Sequence, residues 1–263
     1  MATAKMNFYF LSEKNWDSIN KIEGWLSFSA ASLTWLLVKE LLRREVPGGL
    51  LEIGVYKAKY LSLIALAANG SRRPIFGIDG FFEGFNRPLD NRWVQSARDT
   101  MLNNIASVAT YDGKILIIKA NSTDLYPKNL AAIIGDKICF ASIYVGHEAN
   151  EVYNDFRIVA ECLAPGAIIA ADDVFNAVVP GAAEGTCRFL SSGEGRHLAP
   201  FATCGNKVFI TDREHHAEYL QFCKDVVLSG SSDHLAQTEG HYRANLSIGY
   251  APRFFGHEVL PFV

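Results

Sequence analysis

Five short apolar runs recur along this chain of 263 residues: 50–55 (LLEIGV), 74–79 (PIFGID), 114–119 (KILIIK), 138–145 (ICFASIYV) and 166–171 (GAIIAA). None alternates polar with apolar as a half-solvated strand does, so each reads as a parallel strand covered on both faces. The stretches between them, 58–68, 90–108, 127–134, 149–163 and 181–191, read as helices. Strands alternating with helices imply βαβ crossovers and a doubly wound sheet.

The two ends extend this pattern. Residues 16–45 read as one helical stretch, with Leu33, Leu36, Leu37, Leu41 and Leu42 at helical spacing before Pro47-Gly48-Gly49 stops it. Residues 197–202 and 206–211 flank the turn signal Cys204-Gly205-Asn206 and read as an antiparallel hairpin on the sheet edge. Residues 213–228 suit one more helix, and 229–263 show no clear period. The expected architecture is a Rossmann-like α/β fold with a mostly parallel seven-stranded sheet, a C-terminal antiparallel hairpin and an N-terminal helical extension. With no linker or repeat visible, the chain reads as one domain. Its parts are an extension over 1–47, a core over 48–212, and a C-terminal helix and tail over 213–263.

Charge and cysteine usage narrow the function classes. The net charge of -3 argues against a broad basic surface for nucleic acid. No apolar stretch is long enough to span a membrane, and the first residues have no signal-peptide core. The five cysteines are scattered and form no CxxC pair, which suits reduced thiols. The expectation is a cytoplasmic protein that acts on a small molecule, without nucleic acid or membrane as partner, and with a homodimer left open.

In an open α/β sheet, ligands bind beyond the carboxyl ends of the strands near the point where strand order reverses. That rule selects Gly54 to Ala58, Asp79, Asn121-Ser122, residues 144–148 and Asp172-Asp173. Gly54 permits close backbone approach by a ligand. A nicotinamide dinucleotide site would want GxGxxG, but Tyr56, Lys57 and Ala58 follow Gly54. There is no Walker sequence either. A nucleoside ligand without a pyrophosphate fits better. Asp79 suits a ribose diol, because a carboxylate has two acceptor oxygens, and equally suits a turn or cap. Asn121 and Ser122 suit an adenine edge or an ordinary loop.

The segments IEGWLSFSAASLTWLLVKELL, GGLLEIGVYKAKYLSLIALA, FGIDGF and APGAIIAADDVFNAVVPGAAEGTCRFL resemble the class I S-adenosylmethionine-dependent methyltransferases. Within them the chain is most similar to the branch with the macrocin-type O-methyltransferases, over about residues 22 to 212. The resemblance implies S-adenosylmethionine as cofactor and S-adenosylhomocysteine as product. It places Glu52, Gly54 and Tyr56 at the methionine end, Asp79 at the ribose, and Asn121 and Ser122 near the adenine. Tyr144 joins this cofactor-binding set.

The chain departs from the family in two places. Its usual GxxxGxS loop has Ala58 and Tyr60 at the second glycine and the serine. Its usual Asp-Gly-Asp-His run is Tyr144-Val145-Gly146-His147 here, whereas the later acid pair survives as Asp172-Asp173. In macrocin-type members those acids together hold a divalent metal. Magnesium wants a near-octahedral oxygen shell, so a metal is expected not to be required, with Asp172 and Asp173 its weak candidates.

His147 is then the candidate base, with Asp172 beside it in the catalytic set. The aromatic residues Tyr56, Tyr60, Phe81, Phe82, Phe85, Trp93 and Tyr144 suit either packing or an apolar acceptor pocket. Gly80 and Gly84 bracket a lid-like segment. The expected activity is methyl transfer to oxygen or nitrogen of a small, secondary-metabolite-like acceptor. The alternative is a protein on the same fold that binds the cofactor structurally or catalyses another reaction.

Overall fold

A computed structural model describes residues 8, 10–83, 87–88, 90–135, 137–144, 146–230 and 233–263. In chain order the elements are α1 (Glu13–Asn20), α2 (Phe28–Arg43), β1 (Gly49–Ile53), α3 (Lys59–Ala67), β2 (Ile75–Asp79), β3 (Phe82–Glu83), β4 (Arg87–Pro88) and α4 (Asn91–Val108). They continue as β5 (Ile115–Lys119), α5 (Pro127–Ile134), β6 (Ile138–Ile143), α6 (Ala149–Ala160), β7 (Leu163–Ala171), α7 (Pro180–Leu190), β8 (Leu198–Cys204), β9 (Lys207–Asp212) and α8 (His216–Leu228). The tail adds α9 (Ala236–Ser247), β10 (Arg253–Phe254), β11 (His257–Glu258) and β12 (Leu260–Phe262).

The principal sheet runs in the order β12-β8-β9-β7-β6-β1-β2-β5. β5, β2, β1, β6 and β7 pair in parallel, and the β8–β9 hairpin joins antiparallel. These are the seven expected strands. An eighth comes from the tail. β12 pairs in parallel with β8, so the tail rather than the hairpin forms that edge. Pro261 sits within β12, where an edge strand tolerates the missing N–H.

Two apolar layers cover the sheet. α1, α2, α3, α4 and α8 pack on one face around Leu37, Leu41, Leu61, Ile64, Phe140, Phe201 and Phe209. α5, α6 and α7 pack on the other around Leu51, Ile78, Ile143, Phe156, Ile169 and Phe189. Each such side chain contributes roughly 1.5–3 kcal/mol by burial. No helix among the described residues is long and apolar enough to cross a membrane, and the five cysteines are free thiols.

The N-terminal helical stretch is two helices, not one. Ser12 and Ser27 cap them by accepting the N–H groups of Asn15 and Ala30. Gly24 lies between the helices with φ of 146°. Its α-carbon faces the Lys59 stem so closely that an added β-carbon would lie 3.2 Å from Lys59 Cβ. The extension thus folds over the loop that follows β1.

The chain leaves β1 for β2 on one side and later returns to β6 on the other, so strand order reverses between β1 and β6. Backbone bonds carry the pairing one residue past the strands here: Gly54 N–H to Ile78 O at 2.8 Å, and Tyr144 N–H to Ile53 O at 2.9 Å. The carboxyl ends of β1, β2, β5, β6 and β7 open at this point.

Candidate functional site

The loop from Gly54 to Ala58 forms the floor of the site. Gly54, Tyr56 and Ala58 all take positive φ, at 86°, 50° and 63°. For Tyr56 and Ala58 this left-handed backbone is costly and needs surrounding support. The support is visible. Asp79 Oδ2 accepts the N–H groups of Val55 and Tyr56, both at 2.9 Å, and Oδ1 accepts that of Phe81 at 2.6 Å. Asn104 of α4 donates to Lys57 O at 2.9 Å. Lys59 Nζ donates to Asn20 Oδ1 and Gly24 O at 3.0 Å, tying the N-terminal extension to the same loop. Glu23 accepts from the Tyr56 hydroxyl and the Lys57 ammonium.

Above this floor lies a cavity of about 390 Å³. Gly54, Tyr56, Asp79, Asn121, Ser122, Tyr144 and His147 all border it, so most of the sequence-derived candidates are brought together. α4 contributes Ala97, Thr100 and Met101, which sequence reasoning passed over because they look like ordinary helix-face residues. A second cavity, about 520 Å³, lies on the far side of Tyr144 and His147. Trp25, Asp172, Asp173, Asn176, Asn206 and Lys207 border it. Tyr144 and His147 are thus the shared wall between the two spaces.

Several candidates stand differently from their expected roles. Glu52 does not border the larger cavities. It is buried behind Tyr56 in a crevice of about 20 Å³, with Oε2 lacking a hydrogen-bond partner. Burial pushes its carboxyl well above the usual range, while the nearby Lys207 ammonium pulls the other way. Ser122 borders the cavity, but its hydroxyl is buried and turned from the open space. The short turn it opens is held by Asn154, whose Nδ2 donates to Ser122 O at 2.7 Å. Asn121 Oδ1 accepts the Thr123 N–H at 3.2 Å, capping that turn.

The aromatic set divides. Tyr56, Phe81, Phe82 and Tyr144 border the 390 Å³ cavity, with Phe81 buried and Phe82 exposed. Tyr60 is buried instead and shares a 2.7 Å hydrogen bond with Thr34 of α2. Trp93 points to solvent from α4. Gly84, Phe85 and Val145 lie outside the described residues. Trp25, 73% exposed, lies beside Tyr56 with ring centroids 5.6 Å apart and the planes tilted by 31°. The N-terminal extension thus contributes an aromatic wall to the mouth.

The acid pair after β7 is largely engaged. Asp172 Oδ1 accepts the Asp173 N–H at 2.9 Å, and Oδ2 is ion-paired with the buried Lys207 ammonium. Asp173 Oδ1 accepts from Asn176 Nδ2 at 2.9 Å and Asn206 Nδ2 at 3.4 Å. A divalent ion would need free oxygen ligands here. The Lys207 ammonium already neutralises Asp172, and the residue at 144 offers a phenol in place of a carboxylate. This donor set does not fit a divalent metal.

Residues 51–174 match the family described as a methyltransferase domain. The chain carries a methyltransferase domain. That domain holds the floor loop, Asp79, Asn121, Ser122, Tyr144, His147 and the acid pair. No curated protein matches the chain. Solved methyltransferases share its fold. The O-methyltransferase NovP is 14% identical with a TM-score of 0.55, over 71% of this chain and 80% of that one. The calicheamicin methyltransferase CalS11 is 16% identical with a TM-score of 0.51, over 78% and 95%. The MycE methyltransferase from the mycinamycin biosynthetic pathway, solved with Mg and SAH, is 16% identical with a TM-score of 0.50, over 78% of this chain and 55% of that one.

Proposed function

We propose that this methyltransferase binds S-adenosylmethionine in the 390 Å³ cavity and transfers its methyl group to a small molecule held in the 520 Å³ cavity, without a required divalent metal. The observation that carries the reading is the shared wall: the two spaces meet only across Tyr144 and His147 among their described lining residues. A donor and an acceptor that meet along this common border, with the nucleophile against the sulfur-bound methyl, can be aligned for in-line displacement, and alignment alone supplies several kcal/mol of a barrier.

The cofactor supplies an electrophilic methyl on sulfur. The chain's own residues do the rest. Asp79 keeps one carboxylate acceptor position beyond its three backbone partners, enough for one ribose hydroxyl. Asn121 borders the cavity, and Met101 and Ala120 supply apolar surface for a base. Gly54 leaves the floor bare of side chain where the methionine part would lie. His147, at the rim of both spaces, is the base for a hydroxyl acceptor. The acceptor class is a secondary-metabolite-like molecule, with oxygen or nitrogen as its nucleophile. Trp25 and the polar groups of Asp173, Asn176 and Asn206 suit a ring with polar substituents.

Incubation with S-adenosylmethionine and a panel of hydroxylated and amine-bearing natural-product scaffolds tests the reading. Acceptor-dependent release of S-adenosylhomocysteine in the presence of chelator supports it. A cofactor-bound protein that methylates nothing in a broad panel favours the non-methylating alternative.

A further inference from the structure

We propose that Lys207 is a built-in cation that stands at Asp172 in place of a divalent metal ion, and so positions that carboxylate for the acceptor site. The inference rests on the methyltransferase reading only in calling the 520 Å³ space the acceptor site. The charge arrangement itself is independent of it.

Lys207 opens β9, immediately after the hairpin turn, and its side chain is only 5% exposed. A buried ammonium is expensive unless paired and hydrogen-bonded. Here it is provided for on several sides. Asp172, itself 12% exposed, is its ion-pair partner. The Tyr60 ring lies 4.5 Å from the ammonium and the Tyr144 ring 5.9 Å, so the cation faces two π surfaces. Tyr60 stands in the first turn of α3 and Tyr144 just after β6. Tyr60, Tyr144 and Lys207 thus form one unit, a cation flanked by two aromatic rings.

The placement fits a positioning role. Lys207 borders both the small crevice that holds Glu52 and the 520 Å³ space. It fixes Asp172 Oδ2, while the backbone of Asp173 fixes Oδ1. Asp173, in a left-handed backbone at φ of 56°, is held in turn by Asn176 and Asn206. A divalent ion arriving at the pair would meet an ammonium at contact distance and a carboxylate that already has a partner at each oxygen. Removing the ammonium would leave Asp172 uncompensated beside Asp173, and a divalent ion would then be the simplest counter-charge.

Mn²⁺ binding followed by electron paramagnetic resonance tests this, because its readout does not depend on cofactor or acceptor. The proteins are wild type, Asp172→Asn, Lys207→Arg, Lys207→Met and the double variant Lys207→Met/Asp172→Asn. Wild type and Lys207→Arg should show no Mn²⁺ binding that Asp172→Asn removes. Lys207→Met should gain roughly tenfold or more in Mn²⁺ affinity from the freed carboxylates, and the double variant should lose that gain. Two results overturn the proposal: Asp172-dependent Mn²⁺ binding in wild type, or a folded Lys207→Met that gains none. If Lys207→Met does not fold unaided, it should refold with Mn²⁺ in the buffer; failure to do so while the double variant folds also counts against the proposal. S-adenosylhomocysteine titration of the same proteins separates this from a failure of the cofactor assignment.

Discussion

Asp79 holds Tyr56 by its backbone rather than by its side chain, accepting the Tyr56 N–H at Oδ2 over 2.9 Å. With Val55 and Phe81 also donating to it, the carboxylate fastens the floor loop to the end of β2. Asp79→Ala should therefore weaken S-adenosylhomocysteine binding by roughly 10- to 100-fold and lower stability by about 1–3 kcal/mol, from loop amides left unpaired. Calorimetry and denaturant melts check both. Unchanged affinity would remove Asp79 from the cofactor site.

Trp25 borders the 520 Å³ cavity but not the 390 Å³ one. Trp25→Ala should raise the acceptor KM by about tenfold, the scale of losing one aromatic anchor, and leave cofactor affinity nearly unchanged. Steady-state kinetics with each substrate varied in turn shows whether the two spaces divide the ligands this way.

His147→Ala should lower kcat for a hydroxyl acceptor by roughly 10²- to 10⁴-fold at saturating cofactor, the usual range for a lost general base. Full turnover would rule out that role. An acceptor that is already a phenolate or a free amine should be much less affected.

The extent to which the sequence disclosed this site differs residue by residue. The strand ends could be read because unbroken apolar runs such as 138–143 admit few alternatives, and the switch-point rule then located Gly54, Asp79 and Tyr144. Side-chain direction could not be read. Nothing in Asn121-Ser122 says that the Ser122 hydroxyl turns inward toward α6. The helical extension read as continuous because one glycine, Gly24, breaks it within an otherwise helix-compatible stretch. β12 is three residues with a proline, below any periodic signal. Lys207 falls within the expected edge hairpin, where a lysine ordinarily faces solvent. In the fold β9 lies between β7 and β8, and Tyr60, Tyr144 and the folded-over extension surround the lysine. The detectable hint was a charge at the head of the apolar run 207–210.

Asp155 of α6 is fully buried beneath the Ser122 turn, and burial pushes its carboxyl up to about 8. A folded-state value raised above that of the unfolded chain means the native protein holds the proton longer. Stability from this group is therefore full at low pH and falls as pH rises from about 4 towards 8. The loss at pH 7 is roughly 4 kcal/mol. Asp155→Asn, of the same shape and uncharged, should flatten the pH dependence of melting across that window. An equally steep profile in the variant would place the titrating group elsewhere.

On this reading the space beyond β1, β2, β5 and β6 is a cofactor site that works without metal. Calorimetric titration of the purified chain with S-adenosylhomocysteine, in chelator and then in magnesium, tests it most directly. Micromolar one-to-one binding, identical in both buffers, is the predicted result. Absence of binding in both, or binding only with magnesium, would contradict it.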